Sequence, residues 1–433
     1  MATVQAPTSS DVPVPSMRRR IPLSEPCLTG SEWAYVKECL ESGWISSAGP
    51  FVGRLEQAFA EYVGAPHAVA VVNGTAGLHL ALRVAGVQPG EEVLVPTLTF
   101  IAPVNAIRYC GAHPVFIDAE PATWQMDVRM LERFLAQECE VRAAPGSAGG
   151  GAPGPGGDAA PACWNRRTGR PVRAILPAHL LGLACEMDAV MALAARYGLR
   201  VVEDACEAIG VRCLDRPAGT WGDIGVFSFN GNKTLTSGGG GMVVAREPRW
   251  AKRVRYLSTQ ARDDAREYVH HEAGYNYRMT NLHAAIGLAQ LEQAARLLDR
   301  KRAIAAAYEQ ALRGLDGITL MPVPPQTEPA YWLYTILLKP GTTVAQRDDV
   351  LDRLAAEGIE ARPLWQPIHT QAPYRGCQVV GGEVAADLHA RAVSLPSSAG
   401  MTDEELDRCV AAATAVLGRV QRQAGRAQEA AHG

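Results

Sequence analysis

Short apolar runs alternate with amphipathic stretches along about the first 250 residues of the chain. Seven of these runs have the Val, Ile, Leu and Phe content of buried strands. They lie at residues 68–72, 92–96, 114–118, 173–177, 199–204, 225–229 and 241–244. Strands that alternate with helices indicate βαβ units and a mostly parallel sheet. The pattern therefore predicts an α/β fold whose large domain contains a mostly parallel, seven-stranded sheet.

Helices are predicted before, between and after these strands. They span about residues 31–42, 51–63, 74–85, 101–110, 187–197 and 281–312. Beyond the last helix, a strand at residues 333–338 and a helix at residues 345–357 indicate a second, smaller α/β unit. We therefore expect a large cofactor-binding domain at residues 21–300 and a small C-terminal domain at residues 301–420.

Three segments lack the apolar content that a packed core requires. Residues 1–20 are mostly polar and contain prolines, and residues 421–433 are rich in Ala, Gln and Arg. Residues 143–161 consist of Ala, Gly, Pro and Ser, with Asp158 as the one charged residue. We expect a disordered tail at residues 1–20, a flexible surface insertion at residues 143–161, and a C-terminal tail.

Composition narrows the possible partners. The formal net charge of −3 does not favour nucleic acid or an anionic membrane as a partner. No apolar stretch is long enough to span a bilayer, and the first residues lack the apolar core of a signal peptide. The 10 cysteines form no CxxC pair, which favours reduced thiols in the cytoplasm. His270 and His271 have no metal-ligating neighbours at suitable spacing, so no metal site is expected.

The loop between the last two strands of the series contains a lysine beside several groups that can bind a cofactor. Lys233 follows Ser228 by five residues and precedes the glycines at residues 238–241. A lysine that forms an imine with an aldehyde cofactor must be positioned and partly desolvated. Hydroxyl and backbone N–H groups nearby can bind a cofactor phosphate. The same run also fits an ordinary loop lysine beside a glycine-rich turn.

Other candidate groups follow other strands, at the edge where open parallel sheets bind ligands. Gly74, Thr75 and Ala76 begin a helix whose free N–H groups can bind an anion, although they also fit a common helix start. Asp204 ends a strand, where its carboxylate can pair with a protonated ring nitrogen or cap a helix.

Phe100 follows another strand and can stack on an aromatic ring or pack in the core. Glu207 lies one helical turn after Asp204 and can face the same pocket or the solvent. Each group has an ordinary structural explanation, but their combination is specific. A phosphate site, a stacking aromatic, a carboxylate for a pyridinium nitrogen and an imine lysine together match pyridoxal phosphate (PLP).

The chain resembles the DegT/StrS-type nucleotide-sugar aminotransferases over residues 21–396. The motifs that carry the resemblance are residues 44–50 (WISSAGP), 73–76 (NGTA), 96–100 (PTLTF), 203–205 (EDA), 228–241 (SFNGNKTLTSGGGG) and 274–278 (GYNYR). The resemblance implies an aspartate-aminotransferase-type fold (fold type I). It also implies a homodimer whose active sites lie between the subunits.

The resemblance further implies a role for each motif residue. Lys233 would form the imine with PLP, and Asp204 would pair with the pyridine nitrogen. The remaining contacts that it implies are Gly74, Thr75, Ala76 and Ser228 at the phosphate, Phe100 on the ring, Glu207 near the phenolic oxygen, and Asn276 at the phosphate of the neighbouring subunit's cofactor. Many family members have glutamine in place of Glu207, and the insertion at residues 143–161 is not a usual family feature.

Within the family, residues 21–26, 230–233 and 362–369 are similar to one subgroup. Its members act at C4 of UDP-linked 4-keto-6-deoxy-N-acetylhexosamines in bacillosamine and legionaminic acid pathways. The resemblance therefore implies transfer of an amino group from L-glutamate, with PLP alternating with its pyridoxamine form (PMP). Tyr277, Arg278, Trp365 and His369 are candidate sugar or nucleotide contacts. Structural roles remain open for all four, including a dimer-interface pair for Arg278.

Three further readings of the motifs stay open. A GDP-linked 4-keto-6-deoxymannose would give perosamine instead. Related sugar dehydratases use PMP and carry histidine in place of the lysine, so Lys233 favours transamination. A non-enzymatic regulatory role is disfavoured because the lysine, the aspartate and the phosphate-binding motif are all present.

Overall fold

A computed structural model describes residues 19–142, 162–264 and 266–432. Nearly all of the predicted N-terminal tail and the whole of the predicted insertion at residues 143–161 therefore lie outside the described residues. In the described part of the chain, no helix is long and apolar enough to cross a membrane. Residues 421–432, expected as part of a C-terminal tail, continue the last helix.

The helices predicted at residues 31–42, 51–63, 74–85, 101–110, 187–197 and 345–357 begin and end close to those bounds. The described residues form twelve α-helices, four of which were not predicted. They are α1 (Glu32–Ser42), α2 (Pro50–Val63), α3 (Gly74–Val84), α4 (Ile101–Tyr109), α5 (Val128–Gln137), α6 (Met187–Tyr197), α7 (Pro248–Ser258), α8 (Asn281–Leu291), α9 (Ala294–Leu312), α10 (Val344–Ala356), α11 (Glu383–Arg391) and α12 (Asp403–His432). The single long helix expected at residues 281–312 is two helices. At the break, Gln290 and Gln293 both donate to the Glu32 carboxylate of α1, a tertiary contact that helical periodicity does not reveal.

The strands include all seven of the predicted series. They are β1 (His67–Val71), β2 (Glu92–Pro96), β3 (His113–Ile117), β4 (Cys139–Arg142), β5 (Ala162–Asn165), β6 (Pro171–Ile175), β7 (Arg200–Asp204), β8 (Arg212–Cys213), β9 (Arg216–Pro217), β10 (Ile224–Ser228), β11 (Gly241–Ala245), β12 (Thr327–Glu328), β13 (Tyr334–Leu337), β14 (Val379–Val380) and β15 (Ala392–Leu395).

The main sheet has the order β1-β11-β10-β7-β6-β2-β3-β14, and β5 joins β6 while β4 joins β5. The neighbours from β10 through β14 are parallel, and β11 is antiparallel to both β1 and β10. The sheet therefore has ten strands where the sequence predicted seven. The additions are the β4–β5 hairpin, which flanks residues 143–161, and β14, which arrives from the C-terminal part of the chain.

A separate two-stranded sheet, β13 with β15, lies in the C-terminal part. Its strands pack with α9, α10, α11 and α12 in one apolar cluster that includes Tyr308, Tyr334 and Leu388. We propose the boundary between the two domains near residue 300, within α9. The carboxyl ends of β2, β6, β7 and β10 converge on one edge of the main sheet, and the segment before β13 reaches the same edge.

Candidate active site

A pocket of about 320 Å³ lies at this edge. Loops after β1, β2, β6, β7 and β10 line it, together with two tryptophans from the C-terminal part. Among the residues singled out from the sequence, those that line the pocket are Gly74, Thr75, Phe100, Asp204, Glu207, Ser228, Lys233 and Trp365. The parallel arrangement thus brings together groups that are up to 291 residues apart, from Gly74 to Trp365.

Asp204 ends β7 with its carboxylate facing the pocket and only 8% of the residue exposed. Its Oδ1 accepts a hydrogen bond from the Cys206 backbone N–H at 3.1 Å. Burial raises the pKa of the Asp204 carboxyl, and the Cys206 thiol, the Cys206 backbone N–H and the Lys233 ammonium oppose that rise. A buried carboxylate that lines the pocket is suited to pairing with a cationic ring nitrogen.

Lys233 lies in the turn after β10, where its backbone N–H donates to the Asn230 carbonyl at 3.0 Å. Its side chain is only 13% exposed. The Nζ atom lies 3.3 Å from Glu207 Oε1 and 3.8 Å from the centre of the Trp332 ring. The amine is therefore held between a carboxylate and an indole face, partly removed from water, as an imine-forming lysine requires.

Glu207 is 7% exposed and uses both carboxylate oxygens. While Oε1 faces Lys233, Oε2 accepts a hydrogen bond from the Leu181 N–H at 2.9 Å. Leu181 has a φ of +62°, a left-handed conformation that is unfavourable for a leucine. Burial raises the pKa of the Glu207 carboxyl, and the Lys233 ammonium lowers it. Glu207 thus connects the lysine to the strained loop after β6.

The start of α3 is arranged to bind an anion. The Asn73 side chain caps the helix by accepting from the Ala76 N–H at 2.8 Å, so that N–H is already satisfied. The Gly74 and Thr75 N–H groups have no acceptor among the described residues, and the Thr75 and Ser228 side chains line the same pocket. A Cβ at Gly74 would lie 2.8 Å from Cys206 Sγ, so only glycine allows this close approach. These groups fit a phosphate.

Aromatic rings border the rest of the pocket. Phe100 precedes α4 and is 53% exposed at the rim. Trp332 is buried, and its ring is parallel to that of Trp365, with centroids 6.4 Å apart and planes inclined by 7°. The pocket therefore combines an anion site, aromatic walls, a buried carboxylate and an amine, which fits the phosphate, ring, nitrogen and aldehyde of PLP.

Four other predicted site residues lie outside the pocket of this chain. Asn276 is exposed and forms an isolated bridge with Thr259. The Tyr277 ring stacks on Tyr275 with centroids 4.9 Å apart. Arg278 donates to the Ala70 carbonyl at 2.9 Å.

Arg278 also forms an ion pair with Glu56 of α2 in the same chain. His369 is half-buried, and its Nδ1 lies 2.6 Å from Thr97 Oγ1. Burial lowers the pKa of the His369 imidazole, with Asp118 and Glu383 opposing that effect. Ala76 is a fifth predicted residue that does not line the pocket, and its N–H is already donated to Asn73 Oδ1.

Several pocket residues were not anticipated from the sequence, including His179, Cys206, Asn232 and Trp332. The Cys185 N–H donates to His179 Nδ1 at 3.1 Å, which places the ring proton on Nε2, where it is donated to Glu203 at 2.9 Å. His179 follows β6, so the strand-end argument that found Asp204 also applies to it. Trp332 carries no such signal, because it lies in the segment before β13 and does not follow a strand of the main sheet.

Comparisons with known proteins found similar sequences and similar folds. The model of the DegT/DnrJ/EryC1/StrS aminotransferase family matches residues 26–414. The chain is 38% identical to GDP-perosamine synthase of Caulobacter vibrioides, over 92% of this chain and 98% of that protein. It is 39% identical to GDP-perosamine synthase of Escherichia coli O157:H7, over 89% of this chain and 95% of that protein.

Among solved structures, the PLP form of Spr1654 from Streptococcus pneumoniae superimposes with a TM-score of 0.79 at 25% identity, covering 93% of this chain and 99% of that one. These similarities confirm the predicted aspartate-aminotransferase-type fold. They also confirm the predicted cofactor.

Proposed function

Because the chain belongs to the DegT/DnrJ/EryC1/StrS aminotransferase family, we propose that it transfers an amino group from L-glutamate to C4 of a nucleotide-linked 4-keto-6-deoxy sugar. The protein is a PLP-dependent sugar aminotransferase, and the substrate and donor are the proposed part. The products would be a 4-amino-4,6-dideoxy sugar nucleotide and 2-oxoglutarate.

The similar proteins favour a GDP-linked sugar. Two GDP-perosamine synthases are 38% and 39% identical to the chain over about nine-tenths of its length, and one from Vibrio cholerae is 36% identical. We therefore propose GDP-4-keto-6-deoxymannose as the acceptor and GDP-perosamine as the product. The UDP-linked N-acetylhexosamine suggested by residues 21–26, 230–233 and 362–369 becomes the second candidate acceptor.

One observation carries the proposal: the Lys233 amine and the Asp204 carboxylate line the same pocket as the free N–H groups of α3. When bound, PLP supplies an aldehyde that condenses with amines and a ring that withdraws electrons. Gly74, Thr75 and Ser228 would hold its phosphate, and Phe100 would cover its ring. The Asp204 carboxylate would keep the ring nitrogen protonated, which strengthens the electron withdrawal.

Lys233 would act as the base. Its Nζ would accept the proton from the α-carbon of glutamate and later return a proton to C4 of the sugar. Glu207 and Trp332 restrict the position of Nζ, because Nζ lies 3.3 Å from Glu207 Oε1 and 3.8 Å from the centre of the Trp332 ring. The sheet edge would thus hold the amine beside the reacting carbon and away from bulk water.

We also propose a homodimer in the cytoplasm, with Asn276 reaching the phosphate site of the partner subunit. Because Asn276 is exposed, it is accessible to a second copy of the chain. Trp365 lines the pocket and is the best placed of the four candidate substrate contacts. Tyr277, Arg278 and His369 would contact substrate only if the nucleotide extends beyond the pocket or into the partner subunit.

A product assay tests the proposal. The purified protein with PLP and L-glutamate is incubated separately with the GDP-linked and the UDP-linked 4-keto sugar, and products are identified by mass spectrometry. We expect an amino sugar from the GDP substrate, formed with equimolar 2-oxoglutarate. Amination of only the UDP substrate would reverse the order of the two acceptors. Amination of neither would contradict the proposal.

The same assay distinguishes transamination from dehydration and from a regulatory role. A PMP-dependent dehydratase would release a deoxygenated keto sugar and would not consume glutamate stoichiometrically. A regulatory protein would leave both sugars unchanged. Absorbance at about 330–420 nm that borohydride bleaches would indicate a bound imine and argue against a protein without catalytic function.

A further inference from the structure

Lys301 of α9 is buried in an unusual environment. The residue is 3% exposed, and its Nζ donates to the Trp332 carbonyl at 2.9 Å and to the Ser397 carbonyl at 2.7 Å. No carboxylate among the described residues lies within ion-pair distance of this amine. Burial alone lowers the pKa of Lys301 to about 7. The two hydrogen bonds are therefore the contacts that offset the burial of the amine.

Both carbonyls belong to segments that lie just outside the small sheet. Trp332 precedes β13, and Ser397 follows β15. Among the described residues, Lys301 is the only donor bonded to the Trp332 carbonyl. The preceding residue, Tyr331, has a φ of +47°, so the chain enters β13 through an irregular turn. Lys301 thus fixes a backbone position that no strand ladder holds.

The Trp332 side chain reaches the catalytic loop from this anchored backbone. Its indole Nε1 donates to the Asn232 carbonyl at 2.7 Å, and its ring centre lies 3.8 Å from Lys233 Nζ. The indole therefore contacts both the catalytic lysine and the residue before it. A shift of the Trp332 backbone would move the surface on which the Lys233 amine rests.

We infer that Lys301 is a positioning residue for Lys233, acting through the Trp332 backbone and indole. The inference rests on the proposed function only in taking Lys233 as the catalytic base. Its structural part, the link from Lys301 to Trp332, does not depend on the substrate. Loss of the two amine hydrogen bonds would leave two buried carbonyls without this donor and loosen the indole.

Fluorine NMR of the full-length enzyme without substrate tests the link. The eight tryptophans are replaced with 5-fluorotryptophan, and the Trp332 signal is assigned with Trp332→Phe. In the wild-type enzyme we expect this signal to shift with a midpoint near the Lys301 pKa of about 7, because protonation changes the bonded amine. A Trp332 signal that is the same in Lys301→Met and in the wild-type enzyme at one pH would overturn the inference, because the variant lacks the donor to the Trp332 carbonyl.

Two lysine variants complete the test. Lys301→Met should abolish the pH-dependent shift, whereas Lys252→Met, at an exposed lysine of α7, should retain it. With the sugar substrate, Lys301→Met should lower kcat by between about tenfold and a hundredfold with little change in KM. Equal kcat in Lys301→Met and wild type would overturn the positioning role. Absence of turnover in the wild-type enzyme would contradict the proposed function, while the fluorine spectra would still decide the link.

Discussion

The Lys233 ammonium and the Glu207 carboxylate form a buried ion pair, with Nζ 3.3 Å from Oε1. The second oxygen of Glu207 is bonded to the N–H of Leu181, whose backbone is left-handed. Glu207 therefore has two separable roles, one electrostatic and one structural. Breaking a buried pair leaves an uncompensated charge, so each role has a measurable energy.

Two substitutions of Glu207 separate these roles. Glu207→Gln removes the charge but keeps an oxygen that can accept from the Leu181 N–H, whereas Glu207→Leu removes both. Because each variant leaves Lys233 without its carboxylate, the difference between them isolates the Leu181 contact. We expect Glu207→Leu to be less stable than Glu207→Gln by about 1–3 kcal/mol in urea unfolding of the cofactor-free protein. Equal stabilities would show that Glu207 does not hold the Leu181 backbone.

Asp204→Asn should reduce turnover by several powers of ten without unfolding the protein. The amide cannot stabilise a protonated ring nitrogen, so electron withdrawal by the cofactor weakens. Asp188→Asn, at an exposed aspartate in the first turn of α6, is the matched control and should retain full activity. Turnover of Asp204→Asn close to that of the control would remove Asp204 from its proposed role.

Loss of the α3 cap should weaken cofactor binding. Asn73→Ala removes the oxygen that fixes the Ala76 N–H and orients the first turn of α3. Asp127→Ala removes an equivalent cap, at 2.9 Å from Met130 N, from α5 outside the pocket. Both variants should lose about 0.5–2 kcal/mol of stability. Only Asn73→Ala should also raise the Kd for PLP, measured by fluorescence titration. Similar Kd values for the two variants would contradict phosphate binding at the start of α3.

His79 should make the protein sensitive to acid. The residue is 4% exposed, and neither ring nitrogen has a hydrogen-bond partner among the described residues. Burial lowers its pKa from 6.5 to about 4. The unfolded chain therefore binds a proton at a higher pH than the native state does. The contribution of His79 to the free energy of unfolding is therefore fully present above pH 6.5 and is lost as the pH falls towards about 4.

His79→Phe removes this titration and the two unsatisfied nitrogens. The ring already contacts Tyr109, Tyr275 and Tyr277, so an aromatic replacement keeps the packing. We expect the variant to have the higher Tm at neutral pH. The Tm difference should widen by a few degrees as the pH falls from 6.5 to about 4. Parallel Tm curves for the two proteins would contradict the lowered pKa.

The sequence predicted the large sheet well because its seven long strands are dense apolar runs with helices between them. It missed β4, β5 and β14 because these strands have two to four residues and too few apolar positions to form a pattern. The predicted positions of Lys233, Asp204 and Ser228 followed from one rule, since the carboxyl ends of parallel strands meet at one edge.

Most of the rest of the site depends on contacts that local patterns do not contain. Trp332 reaches Lys233 from the segment before β13, and Lys301 anchors it from α9. The Ala76 N–H was predicted to bind phosphate, but the Asn73 cap occupies it. Arg278, a candidate substrate contact, pairs with Glu56 of a distant helix. The contacts of Trp332, Lys301 and Arg278 depend on tertiary packing between segments far apart in the chain, whereas the Asn73 cap is a local contact between residues three apart.

The most direct test of the proposed chemistry is to identify which lysine binds PLP. The protein is incubated with PLP, reduced with borohydride and digested, and the modified peptide is sequenced by mass spectrometry. We predict modification at Lys233 in the wild-type enzyme and no modified peptide from Lys233→Ala, with Lys252→Ala modified as in wild type. Modification of Lys37, Lys252, Lys301 or Lys339 with Lys233 unmodified would contradict the assignment of Lys233.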